Sequence, residues 1–230
     1  PLGGSQGTMV GLISGMRVGD YEIVEFLGEG GMGTVYKGRH HNEEYARQAG
    51  DVAIKIMKPE YAKDNLFRER FIREAALGNR ITHTNIAKCF GLIDNGTHFA
   101  LVMEFVSGKE LKDYILPEGI ELRDVITLLK PVAEALDYLH SEGVIHRDIK
   151  PENIKLDKEN KPFILDMGIA KDLDGLSGNQ TKTSTGMGTL PYMAPEQFRD
   201  AKSVTGKADQ YALGIMVYEM LSGKLPWDEG

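Results

Sequence analysis

The 230-residue chain is 41% hydrophobic and 27% charged, which suits one or two compact lobes with a real core and excludes a disordered chain. Its 27 Lys and Arg against 34 Asp and Glu leave a net charge of −7, so there is no general attraction to nucleic acid or to an anionic membrane. A single cysteine, Cys89, excludes an internal disulfide; with no apolar run of membrane-spanning length and no secretory signal, the expected setting is the reducing cytoplasm.

Residues 1–8, PLGGSQGT, read as a protease-cleaved tag remnant, which puts the natural start at Met9. From Tyr21, YEIVEFLGEG alternates apolar and polar residues, breaks at glycines, and alternates again in GTVYKGRH. That is the pattern of a hairpin with a Gly-rich turn. The polar run over residues 42–51 reads as a long connecting loop, followed by the strand VAIKIM. From Asn65 to Arg80, Phe67, Phe71, Ala75 and Asn79 recur at helical spacing, with Asp64 capping the start before Leu66. NIAKCFGLID and HFALVMEFV read as strands joined by the turn NGT, with Cys89 a small core residue. The first part is therefore a small antiparallel sheet with one inserted helix.

SGKELKDYI opens a second part. Leu122, Val125, Leu129, Val132, Leu136 and Leu139 mark one face of a long helix that ends at SEG. The charged run GVIHRDIKPENIKLD follows, then KPFILDMG, a polar Gly/Ser/Thr segment at 171–190, and PYMAPEQF. A last apolar helix, ADQYALGIMVYEML, stops at Gly223. There are no internal repeats.

Gly28, Gly30 and Gly33 spell G-x-G-x-x-G, which by itself is more often a hairpin turn than a ligand site. They lead into the strand TVYKG, not into a helix, which argues against a dinucleotide fingerprint. A Gly-rich hairpin can instead fold over phosphates, its N–H groups approaching where a Cβ would obstruct. Lys55, inside VAIK, is alone no more than a solvent-facing strand residue. Held by a carboxylate, for which Glu74 on the next helix is the best candidate, it becomes a fixed charge for two phosphates. Asp148 can accept or orient the proton of an attacking hydroxyl, and Lys150 can neutralise a transferring phosphoryl group. Asn153 and Asp166 offer the hard oxygens that Mg²⁺ prefers. Singly, each is an ordinary loop residue; in this order, they are a set. His40 and His41 are adjacent with no third ligand nearby, and read as solvated loop residues, not metal ligands.

Gly28-x-Gly30-x-x-Gly33-x-Val35, Val52-Ala53-Ile54-Lys55, His146-Arg147-Asp148-x-x-x-x-Asn153, Asp166-Met167-Gly168 and Ala194-Pro195-Glu196 together resemble the eukaryotic-type (Hanks-type) protein kinase signature. GEGGMGTVYKG and APEQ are most similar to its bacterial serine/threonine branch. The resemblance implies an α+β, two-lobed protein-kinase-like fold. Residues 9–106 would form an N-lobe of antiparallel sheet plus one helix, and 107–230 a mainly helical C-lobe. It implies ATP with Mg²⁺ or Mn²⁺, and protein substrates bearing Ser or Thr. The glycine lid, Val35, Ala53 and Lys55–Glu74 would position ATP, with Met103 as gatekeeper and Glu104 to Val106 as the adenine-binding hinge. Asn153 and Asp166 would hold the metal, Asp148 would orient the substrate hydroxyl, and Lys150 would steady the γ-phosphate. Arg147 beside Asp148 implies an anion to offset its burial, often a phosphate on the activation segment. Among Thr181, Thr183, Ser184 and Thr185, the pair Thr181 and Thr183 resembles bacterial autophosphorylation sites, and Thr189 would shape the substrate site.

Two features depart from that pattern. Met167 replaces the usual Phe of the magnesium motif, a swap of similar reach that alters poise more than chemistry. The chain also stops at LPWDEG, where further helices and an arginine partner for Glu196 are expected, so the C-lobe reads as truncated. The last helix would then be partly uncovered, and self-association is expected. The competing readings are a nucleotide-binding pseudokinase or scaffold, and a small-molecule phosphotransferase.

Overall fold

The computed structural model describes residues 14–30, 33–165, 190–199 and 204–227. Its first lobe is a six-stranded antiparallel sheet in the order β1-β2-β3-β4-β6-β5. The strands are β1 (Arg17–Val18), β2 (Tyr21–Glu29), β3 (Gly33–His40), β4 (Asp51–Met57), β5 (Cys89–Asp94) and β6 (Phe99–Glu104). One face gathers Val18, Ile23, Tyr36, Val52, Ile54, Ala100 and Val102 into a core. Since successive side chains alternate, Val35, Ala53, Lys55, Leu101 and Met103 go to the other face. The register sets Val35 opposite Lys55, Lys55 opposite Leu101, and Ala53 opposite Met103.

Helix α3, Asn65–Arg80, as the apolar spacing predicts, packs Phe71 and Ala75 on Met57, Phe99 and Leu101 of that second face. Asp64 caps it, accepting from the N–H groups of Leu66 and Phe67. Asn79 is exposed and lies off the packed stripe. Arg68 stacks on the Phe99 ring and pairs with Asp94, tying the helix to β5. Cys89 is half-buried and not a full core residue; burial pushes its thiol up from the ordinary value.

The run over residues 42–51 is not the loop expected. It contains helix α1, Glu43–Ala49, whose start is capped by Asn42 accepting from Tyr45 N–H at 3.0 Å. Glu43 and Glu44 in its first turn and Arg47 in its last suit the helix dipole. None of its residues is buried, so it has no apolar period to read. A further short helix, α2 (Pro59–Ala62), precedes α3. His40 closes β3 instead of sitting in a loop; its ring stacks on His41 at 4.8 Å and contacts Tyr45. His41 Nδ1 in turn bonds the Asp20 carbonyl at 2.8 Å.

The second lobe joins a small sheet, β7 (Lys109–Glu110), β8 (Ile154–Leu156) and β9 (Pro162–Ile164), to helices α4 (Leu122–Ser141) and α5 (Lys207–Ser222). Val125, Leu129, Val132, Leu136 and Leu139 of α4 meet Ile154, Leu156 and Ile164 of the sheet and Ala212, Met216 and Met220 of α5. Leu122, expected on that stripe, is 59% exposed, because it opens the helix before the core begins. Gly223 ends α5 in the left-handed conformation, as the sequence pattern predicts. Tyr218, Leu221 and Trp227 remain exposed. No described helix is long and apolar enough to cross a membrane.

Candidate active site

Between the lobes lies a cleft of ≈ 280 Å³ that brings Lys55 and Asn153, far apart in sequence, to one space. Its first-lobe side carries Gly28, Gly30, Val35 and Ala53, its rim Met103 to Val106, and its second-lobe side Lys155 and Leu165. A larger surface concavity beside α1, lined by Arg39, His41 and Arg47 among others, holds none of the residues singled out for chemistry.

Residues 31 and 32, at the tip of the Gly-rich turn, lie outside the described residues; the glycines on either side of it are described. Gly30 N–H donates to the Gly33 carbonyl at 2.8 Å, closing the turn. A Cβ on Gly33 would run into the Ile56 carbonyl oxygen of β4, so that position packs strand on strand. A Cβ on Gly28 would meet nothing within 4 Å, which leaves open space above the cleft. Below it, Lys55 Nζ lies 3.6 Å from Glu74 Oε1, with side chains only 15% and 6% exposed. The pairing expected of Lys55 and Glu74 is thus a strand-to-helix ion pair whose lysine lines the cleft.

The charged run of the second lobe is held by main-chain bonds. Asn153 Nδ2 donates to the Asp148 carbonyl at 2.7 Å and to Asp148 Oδ2 at 3.1 Å. Two acceptors facing one end of the amide fix its orientation, so Oδ1 points the other way and suits a hard cation. Leu165 N–H bonds the Asn153 carbonyl at 2.9 Å, so the chain leaves β9 beside this residue. Asp166, Met167 and Gly168 lie outside the described residues, as do Thr181, Thr183, Ser184, Thr185 and Thr189. The groups in view fit a magnesium nucleotide: the Lys55 cation held by Glu74, open space beside Gly28, the apolar side chains of Val35, Ala53 and Leu165, and a hard oxygen on Asn153.

The residue that organises the run is one the sequence reading takes only as part of an apolar helix. Asp209, in the first turn of α5, is 1% exposed. Its Oδ1 accepts from Arg147 N–H at 2.7 Å; its Oδ2 accepts from His146 N–H at 2.9 Å and lies 2.7 Å from His140 Nε2. Arg147 has φ 64, a left-handed backbone that a non-glycine residue holds only when its surroundings fix it. Gln197 adds a bond to the Arg147 carbonyl at 3.1 Å. Burial pushes the Arg147 guanidinium below its ordinary value, against the pull of Asp209. An acidic residue among the apolar ones that open α5 was the signal for Asp209; apolar periodicity does not register it.

The protein kinase domain family model matches residues 21–230, and the chain belongs to that family. It is 36% identical, over 94% of its length, to the serine/threonine-protein kinase PrkC of Bacillus subtilis, of which it covers 33%. It is 38% identical, also over 94% of its length, to the serine/threonine-protein kinase Pkn1 of Myxococcus xanthus, covering 31% of that protein. The chain therefore spans about a third of the length of these curated relatives. Among solved structures, the PknI kinase domain of Mycobacterium tuberculosis superposes with a TM-score of 0.72 at 29% identity, over 94% of this chain and 80% of that one. The expected two-lobed kinase fold is borne out.

Proposed function

We propose that this chain is an ATP-dependent protein serine/threonine kinase, on one observation above others: Lys55, held from behind by Glu74, and Asn153, bonded to Asp148, line a single cleft. In this reading Val35 and Ala53 cover the base, and the backbone of Glu104 and Val106, next to Met103, meets its edge. Gly28, Gly30 and Gly33 let the main chain approach the phosphates, and Lys55 neutralises two of them as a point charge that Glu74 keeps in place. Asp148 orients the substrate hydroxyl and takes its proton as the oxygen bonds to the γ-phosphorus and the bridging P–O bond breaks. Lys150 offsets charge on the group in transit. Asn153 and Asp166 supply oxygens for Mg²⁺ or Mn²⁺, which when bound neutralises phosphate charge. The N-lobe ends near Val106 in this scheme, and an ATP-consuming reaction belongs in the cytoplasm. The relatives' names support Ser or Thr of proteins as acceptors, and the net charge of −7 argues against nucleic acid.

The same reading gives Arg147 an anion to pair with, phosphate on Thr181 or Thr183 of the activation segment. Intact mass after incubation of unphosphorylated chain with Mg-ATP tests it. Phosphate that maps to Thr181 or Thr183 is expected. No phosphate on the chain, and none passed to an added protein substrate, would move the assignment to a nucleotide-binding scaffold. Self-association through the exposed Tyr218, Leu221 and Trp227 is part of the proposal. Sedimentation should then show a mass that rises with concentration; a monomer at every concentration removes this part.

A further inference from the structure

One wall of the nucleobase slot is a lysine. In β8, Ile154 and Leu156 are buried in the second-lobe core, so strand alternation sends Lys155 to the opposite face, where it lines the cleft. An ammonium in a slot shaped for a flat ring disfavours the ring unless the charge is led away. The structure leads it to the segment that joins the lobes. Lys155 Nζ lies 5.5 Å from the centroid of the Phe105 ring, inside the range of about 6 Å over which an aromatic face holds a cation. Lys37 of β3 approaches the same ring at 4.8 Å but is also paired with Asp51 at 2.9 Å. Lys37 thus has a carboxylate to hold it; the cross-strand Glu110 in the same cleft is paired with Lys112, which leaves the ring as the described contact of the Lys155 ammonium.

We propose that Phe105 parks the Lys155 ammonium at the rim of the slot, so that the aliphatic stem of Lys155 forms the floor on which the base lies. Phe105 is then a positioning residue for nucleotide binding, a role that rests on the nucleotide reading given above. Long cationic side chains lay their stems on apolar surface and keep their heads in water; here the ring decides where the head goes. Without it the ammonium samples the slot, and an entering base must displace it and strip its water.

Calorimetric titration of ADP into four proteins tests this: the unmodified chain, Phe105→Ala, Lys155→Met and the double variant. Met keeps an unbranched apolar stem and removes the charge. Phe105→Ala should weaken ADP binding by about fivefold. Lys155→Met should tighten it by about twofold, and the double variant should match Lys155→Met, because the ring then has no ammonium to keep out of the slot, and Lys37 stays on Asp51. Equal losses from Phe105→Ala in both backgrounds would overturn the proposal, as would no loss beside Lys155, or weaker binding by Lys155→Met. If Phe105→Ala unfolds, Phe105→Leu keeps the bulk without the aromatic face and carries the same expectations. An unmodified, folded chain that binds no ADP would instead remove the nucleotide reading itself, and this inference with it.

Discussion

Asp148→Asn lowers the rate of phosphoryl transfer by about 10²–10⁴-fold and leaves ADP affinity unchanged. The expectation comes from where the carboxylate is held. One of its oxygens accepts from Asn153 Nδ2 at 3.1 Å, and Asp148 is not among the residues that line the nucleotide cleft. In the variant, the new amide must turn its oxygen toward the Asn153 donor to avoid two N–H groups facing each other. Its NH₂ then faces the approaching hydroxyl, a donor where a proton acceptor is needed. The loop keeps its shape, because the Asn153 bond to the residue 148 carbonyl does not involve the side chain. Single-turnover transfer and calorimetry on the same preparation separate the two effects. If transfer survives, Asp148 is not the group that handles the proton; if ADP binding is lost as well, its effect is not confined to chemistry.

The contrast between Glu74 and Asp209 shows what a sequence makes legible. Glu74 lies on a helix with a clear apolar stripe, one helix after a strand with a clear alternation, so its meeting with Lys55 follows from two local periods. Asp209 acts across 63 and 62 residues, on the main-chain N–H groups of His146 and Arg147, and any residue type has such a group. These main-chain partners leave no mark in the sequence. The same reason hides α1, which buries nothing and is specified by a cap and by end charges, signals weaker than an apolar period. Lys155 is an intermediate case. Alternation in Ile154-Lys155-Leu156 puts it across the strand from the core, but that this face lines a cleft depends on the other lobe, built from a much earlier stretch of the chain.

Asp209→Asn should cost about 2–4 kcal/mol of stability and disable the catalytic loop even where the chain stays folded. The carboxylate accepts at both oxygens: Arg147 N–H on one, His146 N–H and His140 on the other. An amide of the same shape has one acceptor. If its oxygen stays with Arg147, its NH₂ faces the His146 N–H. If it flips, the NH₂ faces the Arg147 N–H. His140 can adapt by moving its ring proton, but neither main-chain donor can, and a buried donor without an acceptor costs about 1–3 kcal/mol. In a chain of this size each kcal/mol lowers the melting temperature by about 2–4 °C, so a loss of roughly 5–15 °C is expected in calorimetry. The release of Arg147 from φ 64 matters more for function, since it is joined directly to Asp148. A relaxed Arg147 swings the following carboxylate away from its position against Asn153, while the cleft that takes the base, built from other elements, is untouched. Transfer measured well below the melting temperature should therefore fall by at least about tenfold with ADP affinity retained, a split that plain loss of stability does not produce. His140→Ala is the control, because it leaves both main-chain bonds to Asp209 in place and should cost less in both measurements. A variant Asp209→Asn that melts and transfers like the unmodified chain would show that the helix does not hold the loop, and that Arg147 keeps its left-handed backbone by other means.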